Sequence, residues 1–173
     1  MRKRFLIPFI IFCGSCCEMK DEVIVNAPEV DRKFMTAAAY RSLYAVDAGY
    51  LSVQNAGDSA VKTFGRTTAD DNLKAGKELS DIAAYFDYSL PLSPDSTHEV
   101  QKRLLMNASG RAFDSLFIVY QIKDLKETIT LYEDRLKADV STLLESYTKK
   151  YLPMIRGHLE YAESVKKQIK IDE

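Results

Sequence analysis

The chain's three cysteines, Cys13, Cys16 and Cys17, sit together in the stretch FCGSCCEMKDE, and an acidic run follows at once. Clustered thiols can hold zinc, but a structural site needs a second Cys or His pair. Here Cys13 and Cys16 make a single C-x-x-C with no histidine near them. A disulfide framework is excluded too, because no distant cysteine exists to pair with. The chemistry that fits is processing. Arg2, Lys3 and Arg4 precede the apolar run Phe5 to Phe12, and Gly14 and Ser15 precede Cys16. That order, basic then apolar then small, is the layout of an export signal. The apolar run falls short of the roughly 20 residues a spanning helix requires. Small residues just before a cysteine resemble a bacterial lipoprotein cleavage site, with Cys16 as the lipidated first residue of the mature chain and Cys17 as the alternative. A plain secretory signal with incidental cysteines is the competing reading. Lys20, Asp21 and Glu22 close behind resemble a surface-export signal, and equally suit a solvated tether.

The other chemistry-bearing side chains are sparse. There are two histidines, His98 and His158. Neither a G-x-S-x-G nucleophile turn nor a glycine-rich phosphate loop occurs. His98 stands beside Glu99 near a predicted helix start and reads as an exposed first-turn residue. Asp70–Asp71 and Glu133–Asp134 read as solvated faces. Tyr40, Tyr44, Tyr50, Tyr85 and Tyr88 cluster in the first half, as a ligand groove, a partner surface or an amphipathic core edge. The formal net charge is −1 before loss of the basic leader, which makes the mature chain more acidic and argues against nucleic acid as a partner.

These residues must be carried by helices. Glycine (7) and proline (5) are scarce among 173 residues, and no strand-like alternation competes with the helical period. Residues 1–16 read as signal peptide, 17–30 as tether and 31–170 as one helical domain. Asp31 is expected to cap a first helix with Phe34, Ala38, Ala45, Ala48 and Leu51 on its apolar face. Ser59 is expected to cap a second, whose stripe runs Val61, Phe64, Thr68, Asn72, Ala75, Leu79, Ile82 and Phe86. The two prolines of DYSLPLSPDS end that helix. Ser96 or Thr97 opens a short helix with Val100, Leu104 and Leu105 as its apolar positions. A third long helix follows NASGRAF, with a stripe from Ile118 to Leu136 and a second edge at Phe113, Leu116, Phe117 and Tyr120. A last one opens near Asp139 with Leu144, Tyr147, Tyr151, Ile155, His158, Ala162, Val165 and Ile169. Pro153 inside it predicts a kink or local break. Four long stripes and a short helix imply an all-α four-helix bundle with one extra short helix.

Three segments, VKTFGRTTADDNLKAGKEL, FDSLFIVYQIKDLKETITLYE and YLPMIRGHLEYAESV, together resemble the bacterial envelope family catalogued as domain of unknown function 4142. The resemblance spans about residues 31–168. It implies a ferritin-like four-helix bundle, often exported, with an acid in the first helix and a histidine in each of the other three. This chain departs from that pattern. The first-helix acid falls at Ala45, with Asp47 nearby. The histidine positions of the next two long helices fall at Asn72, after Asp71, and at Leu125, after Asp124. His158 alone matches. Leucine ligates nothing, and one histidine falls short of the three or four ligands tight binding needs.

The resulting expectation is a lipid-anchored envelope protein, outer-membrane in location and facing the periplasm or the surface. It is non-catalytic, has no cofactor and has no metal, with His158 the sole remaining candidate ligand. Asn72 and His158 are expected as polar groups of the core, His158 paired with Asn72 or a tyrosine. Its partners are the membrane, through lipid, and an unidentified protein or small molecule. Two alternatives stand beside it: a metal-binding or redox bundle drawing on His158, Asp71, Asp124 and Asp47, and a binder of a small apolar ligand between helices.

Overall fold

The computed structural model describes residues 26–138 and 141–170, so the leader, Cys16, Cys17, most of the tether and Asp139 lie outside the described residues. Five helices are described: α1 (Glu29–Asn55), α2 (Ser59–Tyr85), α3 (Ser96–Met106), α4 (Gly110–Lys137) and α5 (Thr142–Gln168). None is long and apolar enough to cross a membrane.

α1 packs on α2 and α4 on α5 as two hairpins, and the hairpins pack α1 on α4 and α2 on α5. Cross-contacts fix the directions. Asp31 meets Arg135, Arg41 meets Asp124 and Ala56 pairs with Gly110, so α1 and α4 are antiparallel. Glu78 meets Tyr151 and Asp71 meets His158, so α2 and α5 are antiparallel as well. The chain therefore runs up, down, down, up. One long crossover, residues 86–109, returns it from the end of α2 to the start of α4, and α3 lies within it against α1 and α4. The chain enters the bundle at the α1 start. It leaves α5 at the opposite end, where Arg111 donates to the Lys170 carbonyl.

The apolar stripes converge on one core. Phe34, Tyr132 and Tyr147 pack edge-on at the entry end, with ring centroids 5.2 and 6.4 Å from Phe34. Phe64, Phe113 and Phe117 fill the other end. Burying each such ring contributes about 1.5–3 kcal/mol. Beside Phe64, α1 and α2 approach closely through Gly49, Gly65 and Ala69. A Cβ added at Gly65 would lie 2.7 Å from Ser52 Cβ, so no larger residue fits without moving a helix.

Helix starts differ from expectation by small steps with clear causes. Asp31 does not cap α1. The helix opens at Glu29 behind Pro28, and Asp31 is buried in its first turn against Arg135. Asp58, not Ser59, caps α2 by accepting from the Ala60 amide, and Asp95, not Ser96 or Thr97, caps α3 by accepting from the His98 amide. A carboxylate is a strong acceptor at the positive helix end, and each cap contributes about 1 kcal/mol. In α3 only one of the three expected apolar positions, Leu105, faces the core. Val100 and Leu104 are exposed, while His98 and Leu105 are buried. α5 runs through Pro153 without the expected break, with the proline on its exposed side.

Candidate functional site

Two histidine–aspartate pairs occupy opposite flanks of the bundle, each joining helices far apart in sequence. On the α3 flank, Asp95 ends the crossover loop and orients His98 from below. Its Oδ1 accepts from the His98 amide at 3.0 Å and lies 3.1 Å from His98 Nδ1. His98 Nε2 lies 3.0 Å from Asp124 Oδ1 on α4, and the ring stacks on Tyr44 of α1 at a centroid distance of 4.6 Å. Asp124 also accepts from Arg41 of α1, whose other nitrogen bonds Glu127 at 3.0 Å. His98 was expected at the surface; it is 6% exposed and pins the crossover to α1 and α4. Burial alone would push its pKa down. The hydrogen bond to Asp124, with the charges of Asp124 and Asp95, outweighs burial and the opposing Arg41, so the pKa is raised.

On the α2–α5 flank, His158 Nε2 lies 3.1 Å from Asp71 Oδ2. The imidazole is buried against the edge of Phe64, with centroids 6.2 Å apart. Here burial outweighs the attraction of Asp71, and the pKa is lowered, which favours the neutral ring. A neutral imidazole that donates its Nε2 proton to Asp71 keeps a lone pair on Nδ1, and that atom is buried with no partner.

His158 is thus a core histidine, paired with Asp71 rather than with Asn72 or a tyrosine. Asn72 is half-buried. Its side-chain amide donates to the Thr68 carbonyl one turn back, and its own carbonyl accepts from Ser42. The four side chains available for a metal or redox site are separated. Asp71 and His158 hold α2 to α5, Asp124 holds α3 and α1 to α4, and Asp47 is bound by Lys102 of α3 at 2.9 Å. At the positions where the resemblance calls for ligands, Ala45 and Leu125 are buried and apolar. Among the described residues no three His, Cys, Asp or Glu side chains come together as metal ligands do. The residue set does not fit the metal that the resemblance implies.

Other polar groups with visible jobs are structural. Asp114 of α4 receives the Gly57 amide at 3.0 Å and the Asp58 amide at 3.1 Å, clasping the α1–α2 turn. Asp31 and Arg135 form a buried ion pair on which sequence reasoning was silent. The tyrosines do not share one groove. Tyr44 is buried, Tyr50 and Tyr85 are exposed, and Tyr40 and Tyr88 flank a shallow depression where Tyr88 bonds Thr36.

Comparison with known proteins gives two matches. The model of a family described as "Domain of unknown function (DUF4142)" matches residues 24–165. A DUF305 fragment from Deinococcus radiodurans, known from its crystal structure, is similar in fold. It has a TM-score of 0.74 and 11% identity, and the alignment covers 83% of this chain and 99% of that chain. Among curated proteins nothing matches.

Proposed function

The chain belongs to the DUF4142 family, and from that premise we propose that it is a lipid-anchored module of the bacterial envelope that acts by binding or by scaffolding rather than by catalysis. One observation carries this reading: among the described residues, the buried aspartate, arginine and histidine side chains hold helices and turns to one another. His98, Asp124 and Arg41 tie α3, α4 and α1 together, His158 and Asp71 tie α5 to α2, and Asp31 and Arg135 tie α1 to α4. A catalytic centre instead needs such groups free to exchange protons or ligands at a cleft. The up–down–down–up order with one long crossover supports a ferritin-like ancestry for the bundle, whose inward positions have turned apolar.

The anchor rests on the leader and on Cys16, with Cys17 as the alternative. Bacterial lipoproteins carry more than one acyl chain, which suffices for stable attachment where a single chain does not. Labelled fatty acid fed to cells should be incorporated into the wild type and lost in Cys16→Ser. Label that persists when Cys16→Ser and Cys17→Ser are combined in one chain would exclude anchoring at either residue. Metal analysis of protein purified without chelators tests the non-catalytic reading. Stoichiometric iron, zinc or manganese that disappears in His158→Ala would replace it with the metal-binding alternative.

A further inference from the structure

Leu92 stands 96% exposed on the crossover, the most exposed large apolar side chain among the described residues. Leucines scattered singly on a surface need no partner, but this one rims an apolar groove. The groove, about 390 Å³, lies between α1, α2 and the crossover, with Leu43, Val46, Leu73, Leu90 and Pro91 among its walls. Leu73 is itself 47% exposed, so the groove is open to solvent along α2. Leu92 does not fold into it. Pro91 and the buried Pro94 flank the loop tip, and each fixes its own φ, which stiffens the segment that holds the leucine out. One face of the bundle therefore carries an apolar knob and an apolar hollow side by side.

We propose that this face pairs two copies of the chain about a two-fold axis, the Leu92 of each seated in the groove of the other. A two-fold interface is self-complementary: whatever one copy inserts it must also receive. Knob and hollow on one face meet that condition, whereas a small molecule would fill the hollow and leave Leu92 in water. The charges at the rim do not oppose it. Lys77 pairs with Asp81 at 2.9 Å and Lys102 with Asp47 at 2.9 Å within the chain, so a second copy meets neutralised pairs rather than a field of its own sign. The stiff loop loses little freedom on docking. The face lies on the side of the α1–α2 hairpin, so an axis running along the helices keeps both entry points at one end. A groove of this size covers a small part of the roughly 1,600 Å² of a standard interface, which makes the pairing weak in solution, with a dissociation constant of about 10–100 μM. Copies held on one surface gain from their raised local concentration. A second copy is then the partner for the binding role proposed above, and the pairing rests on that reading; metal analysis and fatty-acid labelling test that reading without touching this face.

Sedimentation velocity of the intact purified protein, in density-matched detergent, reads the mass directly. The wild type is expected to pass from monomer to dimer as its concentration rises through about 10–100 μM. Leu92→Asp on the knob and Leu73→Lys in the hollow change exposed residues, so both should fold, and each should weaken pairing at least about tenfold. Mixed in equal amounts, the two variants should pair again. The new carboxylate of one then meets the new ammonium of the other, while the remaining two leucines keep their contact. Val119→Asp, at an exposed position of α4, should pair as the wild type does. A wild type that stays monomeric, a Leu92→Asp variant that pairs normally, or a mixture that remains monomeric would overturn the proposal. So would monomeric protein that carries a fatty acid in native mass spectrometry and loses it in Leu73→Lys, because the groove then holds a small apolar ligand.

Discussion

Asp31 and Arg135 face each other across the α1–α4 interface at 2.9 Å, with side-chain exposures of 0% and 1%. The guanidinium also lies 5.5 Å from the centroid of the Phe34 ring. A charge buried this deeply is tolerated only with its counter-charge. Asp31→Asn strands the cation and should destabilise the protein by about 3–5 kcal/mol. The double variant Asp31→Leu with Arg135→Met removes both charges and should recover most of that loss. Urea denaturation of the three proteins tests the point; a double variant as unstable as the single one would count against it.

Asp114 does for the α1–α2 turn what no residue within the turn does. Its carboxylate receives two backbone amides, those of Gly57 and Asp58. Hydrogen bonds to a charged group contribute about 1.5–3 kcal/mol each, so Asp114→Ala should cost at least about 2 kcal/mol. Hydrogen exchange should accelerate at those two amides before it does in the centre of α2. Unchanged exchange there would mean that the turn holds its shape unaided.

Two glycines make opposite predictions. At Gly65 an added Cβ would collide with the Ser52 side chain and come within 3.0 Å of the Gly49 carbonyl oxygen. Gly65→Ala should therefore destabilise by about 1–3 kcal/mol through overpacking. At Gly157 the added methyl meets open space, and Gly157→Ala should stabilise by about 0.5–1 kcal/mol through helix propensity. Thermal melts of the pair should move in opposite directions.

The two histidines should also respond to pH in opposite senses. His98 has a folded pKa above its ordinary 6.5, so its contribution to stability is fully present below 6.5 and fades as pH rises through the raised value. His158 has a folded pKa below 6.5, so its contribution is present above 6.5 and is lost as pH falls through the lowered value. Measured across about pH 5–8, the stability deficit of His98→Gln should shrink toward the alkaline side. That of His158→Gln should shrink toward the acid side. Deficits that run parallel would contradict the assigned environments.

The long helices were legible because their core faces are apolar. In α5 the stripe from Leu144 to Val165 is buried at every expected position, His158 included. The crossover was not legible in the same way. α3 buries a face made of His98, Gln101, Lys102 and Leu105 to varying degrees, mostly polar residues at helical spacing, so apolar periodicity points to the buried Leu105 but also to the exposed Val100 and Leu104. What makes that polar face viable is Asp124 and Asp47 on other helices, and no local pattern announces a partner 26 or 55 positions away. Asp31 was misread for the same reason. An acid at a helix start is ordinarily a cap, and only the distant Arg135 turns it into half of an ion pair.

The direction of α5 has a consequence for reach. Entry at the start of α1 and exit beside the start of α4 put the two termini of the domain a full bundle length apart, about 40 Å for the 27 residues of α5. With the membrane hold proposed above at its entry point, the bundle would stand as a mast with Lys170 at the masthead.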